Sequence, residues 1–153
     1  MRGKGDRGKA AVTSRFKHIL SPVDFTEKNG AALDVVLEMA QQNGARVTLL
    51  HVIERVEYAE DEEIREFYTV LEEKARANLA AMSQRFVEEG IVVEQGIVFG
   101  RRGPEIVRYS IEHQVDLIVL SSHKIDPTHV AEDWATLSYQ VSILCPCPVL
   151  LVK

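Results

Sequence analysis

The sequence contains little cysteine, and its two cysteines predict neither a disulfide nor a zinc site. Cys145 and Cys147 are separated by Pro146 alone. Taking the pair as part of an extended segment, we expect the two thiols to point to opposite faces, which makes a mutual disulfide improbable. A zinc site needs more ligands than this pair supplies, and no second cysteine pair exists. We therefore expect reduced, partly buried thiols without a redox role.

Long apolar runs and an excess of positive charge are also absent. No apolar run approaches the roughly 18 residues that suggest a membrane span, and no signal-type segment follows the basic start, so we expect a cytoplasmic protein without membrane contact. The formal net charge of −5 gives no basic footprint for nucleic acid. With 46 % hydrophobic and 27 % charged residues, the 153-residue chain has the composition and length of one globular domain.

The first 15 residues predict a disordered basic tail, because they are rich in glycine, arginine and lysine. Gly3 to Lys9 has the G-x-x-x-x-G-K spacing of a phosphate-binding loop. Such a loop needs a strand before it and a hydroxyl residue after the lysine, where this sequence has Ala10. We therefore expect no phosphate loop there and place the folded domain at residues 16–153.

Buried strands and amphipathic helices are predicted to alternate through that domain. Branched apolar runs predict strands, and apolar residues spaced by three and four predict helices. The predicted strands are one ending near Pro22 and then 46–53, 91–99, 116–120 and 149–152. The predicted helices are 28–43, 61–89, one beginning at Pro104, and one marked by Trp134, Leu137, Val141 and Leu144. Strand–helix alternation predicts parallel pairing with right-handed crossovers, which is a doubly wound α/β domain.

The predicted helix 61–89 carries an apolar stripe and an acidic first turn. The stripe comprises Ile64, Phe67, Leu71, Ala75, Met82 and Phe86, and the acids are Asp61, Glu62, Glu63 and Glu66. We interpret the acids as a solvated face that suits the positive end of the helix dipole, not as a metal site. The later group of His123, Asp126 and His129 is likewise not expected to bind a metal.

The stretch from Lys17 to Glu27 organises the chain. Its apolar run ends in an acid and a hydroxyl residue, which places Val23, Asp24 and Thr26 at the carboxyl edge of the first strand. Open parallel sheets bind ligands at that edge. The alternative is that Asp24 or Thr26 caps the next helix.

Four segments, in order and each at a predicted strand, resemble the universal stress protein family over residues 16–153. They are Leu-Ser-Pro-Val-Asp-Phe-Thr-Glu at 20–27, Leu-Leu-His-Val at 49–52, Asp-Leu-Ile-Val-Leu-Ser-Ser-His at 116–123 and Cys-Pro-Val-Leu-Leu-Val at 147–152. The resemblance implies a five-stranded parallel sheet of order 3-2-1-4-5 with helices on both faces. It also implies a homodimer formed through the last strand, residues 148–152.

Many members of that family bind ATP, and the resemblance implies a nucleotide site here. It places Asp24 against the adenosine and the backbone near Val52 beside the base. The candidate nucleotide-binding residues are Pro22, Val23, Asp24, Val52, Ser121, Ser122, His123, Lys124, Ala135 and Thr136.

The family's phosphate loop has the form G-x2-G-x9-G-[ST], and this sequence departs from it at every glycine. Ser121 and Lys124 replace the first two glycines, and Ala135-Thr136 replaces the closing pair one residue further along. A Cβ at such positions obstructs approach of the backbone N–H groups to phosphate. Arg101, Arg102 and Lys124 could instead form an anion-binding rim through their side chains. The alternative is that they are solvated loop residues.

Three functions therefore compete. The first is a non-enzymatic, dimeric stress-response or signalling protein that has lost tight ATP binding and has no certain cofactor. The second is an adenine-nucleotide-binding module for ATP or AMP. The third is a hydrolase or transferase, for which we find no nucleophile elbow, no readable acid–base pair and no Cys–His signature.

Overall fold

A five-stranded parallel sheet forms the centre of the computed structural model, which describes residues 15–55, 61–122, 128 and 136–153. The strands are β1 (His18–Pro22), β2 (Arg46–Ile53), β3 (Val93–Phe99), β4 (Leu117–Ser121) and β5 (Val149–Val152). Their spatial order is β3-β2-β1-β4-β5, with every pair parallel. This confirms the predicted fold class and strand order.

Helices cover both faces of the sheet. They are α1 (Asn29–Asn43), α2 (Glu62–Glu88), α3 (Arg102–Glu112) and α4 (Leu137–Leu144). Ile19 of β1 belongs to the core cluster that contains Val36 of α1 and Phe86 of α2. The next residue, Leu20, belongs to the cluster that contains Ile106 of α3 and Val141 of α4. Successive residues of β1 thus enter opposite cores, which explains why its sequence is a continuous apolar run.

The buried face of α2 differs from the apolar stripe that the sequence predicts. Phe67 is 58 % exposed, whereas the buried positions are Ala75, Leu79, Ser83 and Phe86. The 27 residues of α2 span about 40 Å at 1.5 Å per residue. The 8 residues of β2 span only about 26 Å. The first turns of α2 therefore have less sheet beneath them, and their apolar residues stay exposed.

The start of α3 also differs from its prediction. The helix begins at Arg102, so Pro104 is its third residue and not its first. Proline is tolerated there because N–H groups of the first turn have no partner within the helix. The apolar spacing of Ile106, Val107 and Ile111 predicts that all three lie on the buried side of this helix, but Ile111 is 59 % exposed.

The two cysteine sulfurs lie 3.3 Å apart, so the prediction that they face apart is wrong. The chain bends at Pro146 and Cys147 between α4 and β5. In an extended segment residues two positions apart point to the same face, so a spacing of two does not separate the thiols.

Several predictions fall outside the described residues. These are nearly all of the 1–15 tail, Trp134, and the loop positions His123, Lys124, Asp126, His129 and Ala135. Among the helices that the structure describes, none combines the length and apolarity needed to cross a membrane.

Candidate functional site

A cleft opens where the strand order reverses. β1 pairs with β2 on one side and with β4 on the other, so the connections leaving β1 and β4 diverge at the carboxyl edge. In doubly wound sheets this is the usual ligand position. The cleft has an empty volume of about 400 Å³ and opens to solvent. Its lining residues come from six elements and the β1–α1 loop: Pro22, Val23, Asp24, Asn29, Leu50, Val52, Arg102, Ile106, Leu120, Ser121 and Leu137.

Asn29 ties the two sides of the cleft together. It is the first residue of α1 and is only 3 % exposed. Its Oδ1 accepts hydrogen bonds from the backbone N–H groups of Asp24 (3.0 Å) and Phe25 (2.9 Å). Its Nδ2 donates to Ser121 Oγ at 3.1 Å, and that hydroxyl donates to the Lys28 carbonyl oxygen at 3.2 Å. One amide side chain therefore fixes the loop after β1 against the tip of β4.

Asn29 is not among the site residues predicted from the sequence. A signal was present, because asparagine next to a helix start often bonds nearby backbone groups. The contact with Ser121 spans 92 positions and has no local signature.

Asp24 stabilises its own turn and does not cap α1. Its Oδ1 accepts from Thr26 N–H at 3.0 Å and from Thr26 Oγ1 at 2.7 Å. The N-cap residue of α1 is Lys28, whose side chain makes no capping bond, so the capping alternative is wrong. Within the described part of the chain, Asp24 Oδ2 has no hydrogen-bond partner and is the atom available to a ligand hydroxyl.

The Asp24 carboxyl is held in its charged form. Burial raises its pKa, but the hydrogen bonds from Thr26 and the nearby Arg102 charge outweigh burial, so the pKa lies below its usual value. At neutral pH the cleft therefore presents a carboxylate.

The structure separates the two arginines of the predicted rim. Arg102, the first residue of α3, lines the cleft and its charge acts on Asp24. Arg101 precedes the helix, is exposed and is not among the lining residues. Of the two arginines predicted to form an anion-binding rim, only Arg102 therefore lines the cleft.

The apolar wall comes from β2. Leu50 and Val52 line the cleft and are almost fully buried. His51 supports the β1–α1 loop, because its Nδ1 donates to the Val23 carbonyl oxygen at 2.8 Å. Its ring lies 4.3 Å from that of Phe25, which has a positive φ of 65°. His51 lies in the Leu-Leu-His-Val segment, which by itself does not predict this supporting role.

Of the predicted nucleotide-binding residues on and after β4 that the structure describes, only some line the cleft. Ser121 lines the cleft, but the Ser122 N–H donates to the Val152 carbonyl oxygen and joins β4 to β5. Thr136 is the N-cap of α4, where its Oγ1 accepts from Tyr139 N–H at 3.4 Å. Among the described residues, no cluster of histidine, cysteine and acidic side chains could hold a metal ion.

These features define a doubly wound α/β domain with a ligand cleft at its switch point, an ionised acid after the first strand and an apolar wall on the second. The sequence profile of the universal stress protein family matches residues 15–153, and the chain belongs to this family.

The chain is similar to several members along nearly its whole length. Universal stress protein YxiE of Bacillus subtilis is 25 % identical over 148 residues, covering 90 % of this chain and 99 % of the relative. The solved structure of protein MJ0577, a universal stress protein of Methanocaldococcus jannaschii, is 31 % identical with a TM-score of 0.78, covering 90 % and 96 %. Universal stress protein UspA of Lactobacillus plantarum is 26 % identical with a TM-score of 0.74, covering 91 % and 99 %.

Proposed function

We propose that the protein is a non-enzymatic, dimeric stress-response protein that acts by binding and has lost tight ATP binding. The observation that carries the non-enzymatic part is the chemistry of the cleft. Among its described lining residues, Asp24 is the only acid, and there is no histidine, cysteine or lysine. The described lining therefore offers no pair of groups that could serve as general acid and general base.

Ser121 is not arranged as a nucleophile. Its hydroxyl proton is donated to the Lys28 carbonyl oxygen, and its oxygen accepts from Asn29. A serine nucleophile needs a general base that takes its proton, and a backbone carbonyl cannot act as one.

Loss of tight ATP binding is supported by the same residue. The family resemblance places a glycine of the phosphate loop at position 121, where a bare backbone would face phosphate. Here the Ser121 side chain is bonded to both Asn29 and Lys28, so it is part of the wall of the cleft. In the sequence, Lys124 and Ala135 also stand in place of glycines of the family's phosphate loop.

The second candidate is an adenine-nucleotide-binding module, and the Asp24 carboxylate favours it. The Asp24 carboxylate suits a ribose hydroxyl donor, and the apolar side chains of Leu50 and Val52 line the cleft where a base would lie. This candidate takes its affinity from the nucleoside, so ATP, AMP and adenosine would bind alike and weakly.

A thermal-shift titration with ATP, AMP and adenosine tests both candidates. For the first, we expect no change in Tm with micromolar ATP, because only a ligand above its Kd stabilises the folded state. A rise in Tm at millimolar concentrations of all three ligands, abolished by Asp24→Ala, would instead support the adenine-nucleotide-binding module. Asp34→Ala is the matched control, since Asp34 pairs with Arg85 on the exposed surface. A micromolar shift that requires the triphosphate contradicts loss of tight binding.

The dimeric part of the proposal is supported by the edge of the sheet. β5 is the last strand, and all four of its residues are apolar. Leu150 of β5 is 37 % exposed, and Ile143 and Leu144 of α4 are each 61 % exposed. The opposite edge strand, β3, carries the exposed Glu94, which discourages strand pairing. We therefore place the interface with a second copy at β5.

A further inference from the structure

The junction between α4 and β5 holds a close pair of thiols that the cleft does not use. Cys145 is the C-cap of α4, and its N–H donates to the Val141 carbonyl oxygen. Cys147 lies two residues before β5. Their sulfurs are 3.3 Å apart and both residues are half-buried. Two thiols at this separation can become bonded to each other with a movement of little more than about 1 Å, given an S–S bond of about 2.05 Å.

We propose that Cys145 and Cys147 are a redox-active dithiol that forms an intramolecular disulfide by exchange with low-molecular-weight disulfides. They are the only two cysteines of the chain, so neither has another intramolecular partner. The bend at Pro146 and Cys147 holds the sulfurs together in the folded state.

The hydrogen bonds around the pair assign separate roles to the two thiols. Ser110 Oγ donates to the Val107 carbonyl oxygen, so its remaining contact with Cys145 Sγ, at 3.5 Å, leaves the sulfur as the donor. The Cys147 thiol can in turn donate to Cys145. Burial, together with the Cys145 sulfur, raises the pKa of Cys147 to about 12, so Cys147 keeps its proton at neutral pH. We therefore assign the first attack to Cys145.

The exchange balances with a small disulfide such as oxidised glutathione. The Cys145 thiolate attacks one glutathione sulfur, the glutathione S–S bond breaks and one glutathione leaves as a thiol. Cys147 then loses its proton to solvent and attacks the Cys145 sulfur, and the second glutathione leaves. The protein pair loses two protons and two electrons, and the small disulfide is reduced to two thiols.

A disulfide across one residue is suited to reversible exchange. It closes too short a loop to restrict the unfolded chain much, so it contributes little to stability. A ring this small departs from relaxed disulfide geometry, which makes the bond easier to reduce. The bond would join the end of α4, whose first residue lines the cleft, to the start of the apolar edge strand.

Intact mass after treatment with oxidised glutathione tests the proposal. We expect the folded wild type to lose two hydrogens, to retain no glutathione and to resist alkylation by iodoacetamide. Cys145→Ser and Cys147→Ser should each stop at one glutathione adduct, and the variant that retains Cys145 should react faster. Addition of two glutathiones to the wild type, or disulfides formed only between chains, would overturn the proposal.

The unfolded chain is the control for sequence proximity. In guanidinium chloride the same two thiols are two residues apart but not held together. We expect the ratio of intramolecular to mixed disulfide to be at least about tenfold lower there than in the folded protein. Equal ratios would show that the fold contributes nothing to the exchange.

Phenylarsine oxide provides a test that needs no variant. An arsenical that bonds two neighbouring sulfurs should bind the folded protein in a one-to-one complex and protect both thiols from alkylation. Protection of neither thiol, or binding of two arsenicals per chain, would contradict the close pair.

Discussion

At the scale of single residues, the cleft depends on one buried amide and one carboxylate. Asn29 satisfies two backbone N–H groups of the β1–α1 loop and bonds Ser121 on β4. Asp24 holds the turn, because its Oδ1 accepts both hydrogen bonds from Thr26. The polar geometry of the site therefore rests on residues that contact each other across the sheet edge.

Replacing Asn29 by alanine should lower the free energy of unfolding by about 1–3 kcal/mol, because it leaves buried donors without partners. It should also abolish any nucleoside binding, since Asp24 is no longer positioned. Urea denaturation and the thermal-shift titration measure the two effects. Asn78→Ala is the control, because Asn78 is exposed on α2. If the two variants are equally stable, Asn29 does not hold the loop.

At the scale of elements, the two edges of the sheet differ in their protection. β3 carries an ion pair between its Glu94 and Arg46 of β2, at 3.4 Å, whereas β5 is apolar throughout. The apolar edge lies beside the exposed leucine and isoleucine at the end of α4. This asymmetry is the physical reason for placing the proposed dimer interface at β5.

A charged residue in place of Leu150 should convert the proposed dimer to a monomer, because an unpaired carboxylate would be buried between two copies of β5. Light scattering on Leu150→Asp measures the mass. Val92→Asp serves as the matched control, since Val92 is 65 % exposed and precedes the opposite edge strand. A dimeric Leu150→Asp variant would show that another surface carries assembly.

A second prediction at this scale concerns the tip of β4 and the loop after it. Glycine at Ser121, Lys124 and Ala135 should create or strengthen ATP binding if the missing backbone cradle is what prevents it. The gain should be seen by calorimetry and should vanish when Asp24→Ala is added. No gain in the triple variant would mean that the cleft itself does not admit the nucleotide.

At the scale of the whole molecule, stability should depend on pH through a buried histidine. His18 of β1 is 2 % exposed, with Nδ1 donating to the His113 carbonyl oxygen and Nε2 accepting from Thr48 Oγ1 at 2.7 Å. Arg46 also approaches Nδ1, but we favour the His113 bond because it is shorter and a carbonyl oxygen only accepts. Burial is the main cause that lowers the pKa of His18 below 6.5.

Because the folded pKa is the lower one, His18 stabilises the protein fully above about pH 6.5, and this stability is lost as pH falls through the folded value. We expect the wild-type free energy of unfolding to fall from pH 7.5 to 5, and His18→Gln to show a flatter profile. Urea denaturation across that range measures both. Because the pKa of Asp24 lies below its ordinary value of 3.8, the contribution of Asp24 to stability changes only below that pH and does not affect the profile between pH 7.5 and 5. If the stability of the wild type and of His18→Gln changes with pH in the same way, His18 is not the cause of the pH dependence.

The sequence by itself determined the alternation of strands and helices. Apolar runs and three–four spacing are local, and a buried parallel sheet with covered faces follows from them, as the two cores on either side of Ile19 and Leu20 show. The resemblance supplied the strand order. These predictions held because each depends on a short segment or on a motif that can be read within one. Asp24 and Val52, which the resemblance also named, both line the cleft, and their contact with a nucleotide stays a prediction.

Only the tertiary structure decided which groups meet. It gave Asn29 its contact with Ser121, brought Arg102 and not Arg101 to the cleft, left Phe67 exposed and placed the two cysteine sulfurs side by side. Each outcome depends on the direction in which a turn sends the chain or on the length of one element against another. Those quantities are fixed by contacts between residues far apart in sequence, and no local pattern records them.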